Sequence, residues 1–114
     1  MNMYETIDRE ELQRQLAGGE AVTLIEVLSE EEYEKGHIKG AINIPLPEIG
    51  REAKKRFDSD EKIVVYCADL SCEASPEAAK KLDALGFENV YDYEEGKKGW
   101  REAGNPTVSG KSPE

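Results

Sequence analysis

Residues 62–66, Lys-Ile-Val-Val-Tyr, form a β-branched and aromatic run that suits an interior strand, and Cys67 follows directly. Further on, Ser75-Pro76-Glu77-Ala78-Ala79 reads as a helix cap, a first helical position and the start of an alanine-rich amphipathic helix. Strand, loop and helix in this order commit the chain to a layered α/β arrangement. The loop that Cys67 opens then lies beyond the carboxyl end of a buried strand. Open α/β sheets bind ligands there, and the N–H groups of a following helix face any anion in that crevice.

The flanking segments extend the alternation. Asp8 with Glu11 is a capping box for a helix through about Leu16, stopped by Gly18-Gly19. Residues 21–27 read as a short apolar strand, and Ser29 with Glu32 caps a short acidic helix ending near Gly36. Residues 41–44 form a brief strand, and Pro45-Leu46-Pro47 turns the chain into a charged helical segment over 48–57. After the cysteine loop, Ala78, Ala79, Leu82 and Leu85 share one helical face and Gly86 ends the helix. Residues 90–93 read as the last strand. Glu95-Gly96 leads to a terminal helix containing Trp100, closed by Gly104-Asn105-Pro106. The pattern predicts a mostly parallel sheet covered by helices. Residues 1–108 are expected to form one domain, with 109–114 as a flexible, frayed C-terminal tail.

A chain of 114 residues supports one modest core, and 38% hydrophobic with 35% charged residues suits a soluble globular protein. Twenty-five acidic against fifteen basic residues give a charge of −10, a field that repels nucleic acid and anionic membranes, so neither is expected as a partner. No apolar stretch is long enough to span a bilayer, and the start, Met1-Asn2-Met3-Tyr4-Glu5, lacks a signal-peptide pattern. A cytoplasmic protein is expected; a monomer is favoured, with the oligomeric state left open by the sequence. Two cysteines five positions apart and one histidine lack the paired spacing of a zinc module, so no metal is expected.

In a reducing compartment such a cysteine pair is chemical rather than structural. Helix N–H dipoles favour a Cys67 thiolate. Asp69 and Glu73 oppose this, and no Lys or Arg occurs from Cys67 to Glu77. The outcome depends on whether those carboxylates point into the loop. Cys67 alone fits either a reactive thiol or a small buried hydrophobe. Cys72 fits a resolving thiol, a second nucleophile or a loop filler. His37 is read as a structural residue satisfying loop carbonyls, Tyr66 and Trp100 as packing residues, and Glu30, Glu31, Glu32 and Glu34 as a solvated face. Lys80-Lys81 and Lys97-Lys98 soften the acidic field.

Three separated stretches resemble the rhodanese-like family. They are Leu24-Ile25-Glu26-Val27 with Glu32-Tyr33-Glu34-Lys35-Gly36-His37-Ile38-Lys39-Gly40-Ala41-Ile42-Asn43-Ile44-Pro45; Val64-Val65-Tyr66-Cys67; and Leu85-Gly86-Phe87-Glu88-Asn89-Val90-Tyr91 with Gly99-Trp100-Arg101-Glu102-Ala103-Gly104-Asn105-Pro106. The resemblance implies a five-stranded parallel sheet with helices on both faces. It also implies transfer of a sulfane sulfur through a Cys67 persulfide, from a small donor of the thiosulfate or 3-mercaptopyruvate type to a thiol or protein acceptor, without a cofactor. Ala68, Asp69, Leu70, Ser71, Glu73, Ala74 and Ser75 would form the active-site loop.

The departures from the family pattern are informative. The loop lacks the arginines and glycine of many members, which argues against efficient use of thiosulfate and against the oxyanion chemistry of related phosphatases and arsenate reductases. Glu26 and Leu28 replace the usual Asp and Arg, which implies loss of an ion pair. Cys67, Cys72, Ala74 and Ser75 resemble a variant with a second loop cysteine, and this implies dithiol chemistry. Three functions follow: a sulfurtransferase, a dithiol redox protein using Cys67 and Cys72, and a non-catalytic binding module.

Overall fold

In the computed structural model, which describes residues 4–114, the chain runs β1 (Glu5–Thr6), α1 (Arg9–Ala17), β2 (Thr23–Glu26), α2 (Glu30–Lys35), β3 (His37–Ile38), β4 (Ile42–Asn43), a 3-10 turn (Leu46–Glu48), α3 (Ile49–Arg56), β5 (Lys62–Tyr66), α4 (Ala74–Ala84), β6 (Asn89–Tyr93), α5 (Gly96–Glu102) and β7 (Thr107–Val108). The reading of residues 1–3 lies outside the described residues. Local chemistry starts the helices where the sequence predicts. Asp8 Oδ1 accepts the Glu11 N–H at 2.8 Å, and Ser29 Oγ accepts the Glu32 N–H at 3.3 Å.

Five strands form a parallel sheet in the order β1-β6-β5-β2-β4, and β3 pairs antiparallel with β7. Ile63, Val64, Val65 and Tyr66 of β5 are all fully buried, because helices cover both faces of a central parallel strand. On one face Ile25, Ile63, Val65 and Val90 pack with Ile49 and Ala53 of α3 and with Ala78, Ala79 and Leu82 of α4. On the other, Leu24, Val64, Tyr66 and Tyr93 pack with Leu12 of α1 and Trp100 of α5. Each large side chain so buried contributes about 1.5–3 kcal/mol.

Two features differ from the sequence reading. Ser75-Pro76 does not cap α4. The helix begins at Ala74, the N-cap position is Glu73 without a side-chain bond, and Ser75 lies inside the first turn. Pro76 is tolerated there because first-turn N–H groups have no partner within the helix. The segment 109–114, read as a frayed tail, lies against α2 and β3. The Gly110 N–H donates to Glu34 O and the Gly40 N–H to Pro113 O, both at 2.8 Å. Backbone groups make these bonds, so the small and polar side chains carry no signal of them. Among the described residues no helix is long and apolar enough to cross a membrane.

Candidate active site

The sheet topology places Cys67. The chain leaves β2 toward the edge strand β4 and leaves β5 in the opposite direction toward β6, so the switch point lies between β2 and β5. Register aligns Glu26 with Tyr66 and Tyr66 with Tyr93, which brings the three strand ends level. Cys67 stands one residue beyond β5 and is 1% exposed.

Cys67 and Cys72 are joined as a disulfide across this loop, with Cα atoms 6.4 Å apart. The Cys72 N–H donates to Asp69 O at 3.2 Å, closing the turn between them. Asp69 Oδ1 accepts from the Ser71 N–H at 3.0 Å and the Ser71 hydroxyl at 2.7 Å, and these bonds hold the Asp69 carboxyl below its ordinary range. Those bonds lie at the exposed side of the loop, and Glu73 is exposed to solvent. Leu70 caps the outer edge at 73% exposure, while Ala68 and Ala74 are half-buried.

The opposite side of the loop is clamped by α5. The Lys97 and Lys98 N–H groups donate to Cys67 O at 3.0 Å and Ala68 O at 2.9 Å. Gly96, at φ +66°, makes this approach possible: a Cβ there would stand 2.6 Å from Cys67 O and 2.7 Å from the Ala68 carbonyl carbon.

Beneath the loop, Ser75 and Asp92 complete the surroundings of the sulfur. The Cys67 sulfur lies 3.5 Å from Ser75 Oγ, and Ser75 is 2% exposed. Asp92 is 1% exposed on β6, opposite Val65 of β5, and neither carboxylate oxygen has a hydrogen-bond partner of good geometry. Burial pushes its carboxyl up to about 6, against the pull of the nearby Ser75 hydroxyl, and Glu94 adds a like charge.

A second buried polar cluster ties the site to its frame. Lys97 Nζ donates to Glu26 Oε2 at 3.0 Å, Glu32 O at 3.0 Å and Gly36 O at 2.7 Å. The Tyr66 hydroxyl donates to Glu26 Oε1 at 2.9 Å and accepts the Ile38 N–H at 3.1 Å. Burial raises the Glu26 carboxyl above its ordinary range, while the Lys97 ammonium and Tyr66 hydroxyl pull it down. The ion pair expected to be lost with the Asp and Arg of the family pattern is therefore supplied from α5. Lys97 is buried, contrary to its reading as a surface charge. Tyr66 is a hydrogen-bonding residue as well as a packing one. His37 sets both ring nitrogens against carbonyls, Tyr33 O and Ser112 O, each at 2.8 Å, and stacks on Tyr33.

Of the loop residues named from the sequence, Cys72 and Ser75 meet the Cys67 sulfur, while Leu70, Ser71 and Glu73 lie on the exposed side. Asp92 and Lys97 were missed. An acidic residue two positions after Val90, and so on the same apolar face of the strand, was the available signal for Asp92. Beside the loop, a cleft is lined by Ala68 and Asp69, by Glu32, and by Lys98, Arg101 and Glu102 of α5, so α5 brings cations that the loop lacks into a cleft of mixed charge.

The model of the rhodanese-like domain matches residues 8–103, and the chain belongs to that family. It is 40% identical over 106 residues to the HTH-type transcriptional regulator Rv0324 of Mycobacterium tuberculosis, covering 93% of this chain and 46% of the regulator. It is 33% identical over 87 residues to the thiosulfate sulfurtransferase PspE of Escherichia coli, covering 75% of this chain and 78% of PspE. The solution structure of the rhodanese-like domain of the Anabaena Alr3790 protein superposes with a TM-score of 0.84 at 30% identity, over 93% of this chain and 80% of that one. The chain spans about half the length of the first curated relatives it matches.

Proposed function

We propose that this domain is a sulfurtransferase in which Cys67 carries a sulfane sulfur and Cys72 discharges it. The observation that carries this reading is the pair of sulfurs in bonding reach at the end of β5, in a chain of the rhodanese-like family. The reduced Cys67 thiolate attacks the sulfane sulfur of a donor. With thiosulfate, the S–S bond of the donor breaks, sulfite leaves with its electron pair, and Cys67 becomes a persulfide. An acceptor thiol can then take the terminal sulfur. Alternatively, Cys72 attacks the Cys67 sulfur, the persulfide S–S bond breaks, hydrosulfide leaves, and the Cys67–Cys72 disulfide remains. A dithiol reductant returns the pair to its starting state. Lys98 and Arg101 are the cations an anionic donor would meet beside the loop, with Glu32, Asp69 and Glu102 in the same cleft.

The disulfide also supports a second reading, a dithiol redox protein that cycles without sulfur transfer. Intact-mass measurement on the reduced protein separates the two. After incubation with thiosulfate or 3-mercaptopyruvate, wild type and Cys72→Ser gain one sulfur atom, Cys72→Ser accumulates more, and Cys67→Ser gains none. Reversible loss of two thiols with no added sulfur under either donor would sink sulfur transfer from these donors and leave the redox reading.

A further inference from the structure

Asp92 is an ionisable group buried at the site with no cation paired to it among the described residues and no hydrogen bond of good geometry. Neutral residues would fill its place at lower cost. It sits on the same sheet face as Val65 and Cys67, and the Ser75 hydroxyl touches on both: it lies 3.5 Å from Cys67 Sγ, and it favours the charged form of Asp92. The other surroundings carry little charge. β5 contributes Cys67, α4 contributes Ser75, β1 places Thr6 opposite Asp92, and Glu94 adds a like charge that opposes its ionisation.

We propose that Asp92 is the proton store for Cys67, and that the two share one negative charge passed through the Ser75 hydroxyl. When the disulfide is reduced, the Cys67 S–H donates to Ser75 Oγ and the Ser75 O–H points to an Asp92 oxygen. In the transfer, the S–H and Ser75 O–H bonds break, a new Ser75 O–H and an Asp92 O–H form, and the charge moves from carboxylate to sulfur with no electron exchange. A second negative charge in the same dry space is disfavoured, so the pair titrates as a unit. Asp92 is thus a positioning residue that acts through Ser75. The inference rests on Cys67 being the reactive thiol of the proposed function, and not on which donor it uses.

The test uses the reduced full chain carrying Cys72→Ser, so that Cys67 is the only thiol, and the neutral probe iodoacetamide. In this parent, the alkylation rate falls as pH is lowered, levels off where the single shared charge persists, and falls again at lower pH as that charge is lost. Adding Asp92→Asn abolishes the level region and leaves a continuous fall of about tenfold per pH unit. Parallel profiles in the parent and Asp92→Asn would overturn the proposal. A measurement without these variants guards against misfolding: the carboxyl-carbon NMR shift of Asp92 in the wild-type chain. It titrates in two steps when the protein is reduced and in one when oxidised; identical titrations in the two states would also overturn it. If Cys67 accepts sulfur from neither donor and yet the level region is present, the donor reading fails and the shared proton stands.

Discussion

Replacing Asp92 by Asn should make the oxidised protein more stable, and the size follows from burial. In the disulfide form Cys67 has no proton, so the carboxyl titrates without it. Its ordinary value of 3.8 is raised to about 6 in the fold. The folded state therefore holds this proton more tightly than the unfolded chain. The associated stability is fully present below pH 3.8 and is lost as pH rises through about 6. At ~1.4 kcal/mol for each pH unit between the two values, the ionised carboxylate costs the fold about 3 kcal/mol at pH 7.5. Asparagine has the same shape and no charge, so it avoids this cost. Urea unfolding of the oxidised proteins from pH 4 to 8 should show Asp92→Asn more stable by up to about 3 kcal/mol at the alkaline end, with the advantage gone near pH 4. Thermal midpoints should differ by about 10 °C at pH 7.5. A difference that does not change with pH would refute the reasoning, because a packing effect has no reason to follow the proton.

Two other substitutions probe the frame. Lys97→Met leaves Glu26 buried without its cation, and denaturant unfolding at pH 7.5 should show a loss of about 3–5 kcal/mol, partly recovered on acidification as Glu26 takes up a proton; a loss below about 1 kcal/mol would show that the pair does not hold the site. Gly96→Ala forces a Cβ onto the Cys67 and Ala68 backbone at positive φ, with an expected cost of about 1–3 kcal/mol in the same assay. Faster alkylation of Cys67 in the reduced variant would report the released loop, and unchanged alkylation together with unchanged stability would refute the clamp.

The parts of this molecule that were legible in the sequence are those with a repeating or local signature. The apolar run at 62–66 marked the central strand, Asp8 and Ser29 marked helix starts, and the placement of Cys67 at a strand-to-helix junction followed from order alone. The illegible parts depend on contacts between distant residues. Lys97 meets Glu26 across 71 positions, and no helical or strand periodicity encodes such a pair. Glu26 and Leu28, in place of the family's Asp and Arg, implied a lost ion pair because the cation that meets Glu26 comes from far along the chain. Ser75 was read as a cap because Ser-Pro is a common helix start, whereas its side chain is drawn to Cys67 and Asp92. The pairing of β3 with β7 involves two residues from each, too short for any alternation to register.

The clamp on the loop makes its two cysteines mechanically unequal. Cys67 follows directly on the central strand and its carbonyl is gripped by α5, while Lys97 in that same helix is anchored to β2 and to the end of α2. Cys72 is tied to the loop by one turn bond and flanked by exposed Ser71 and Glu73. With the bond between the sulfurs open, Cys67 is still held by strand and helix like a stator, whereas Cys72 keeps only its turn bond and its packing against the core edge.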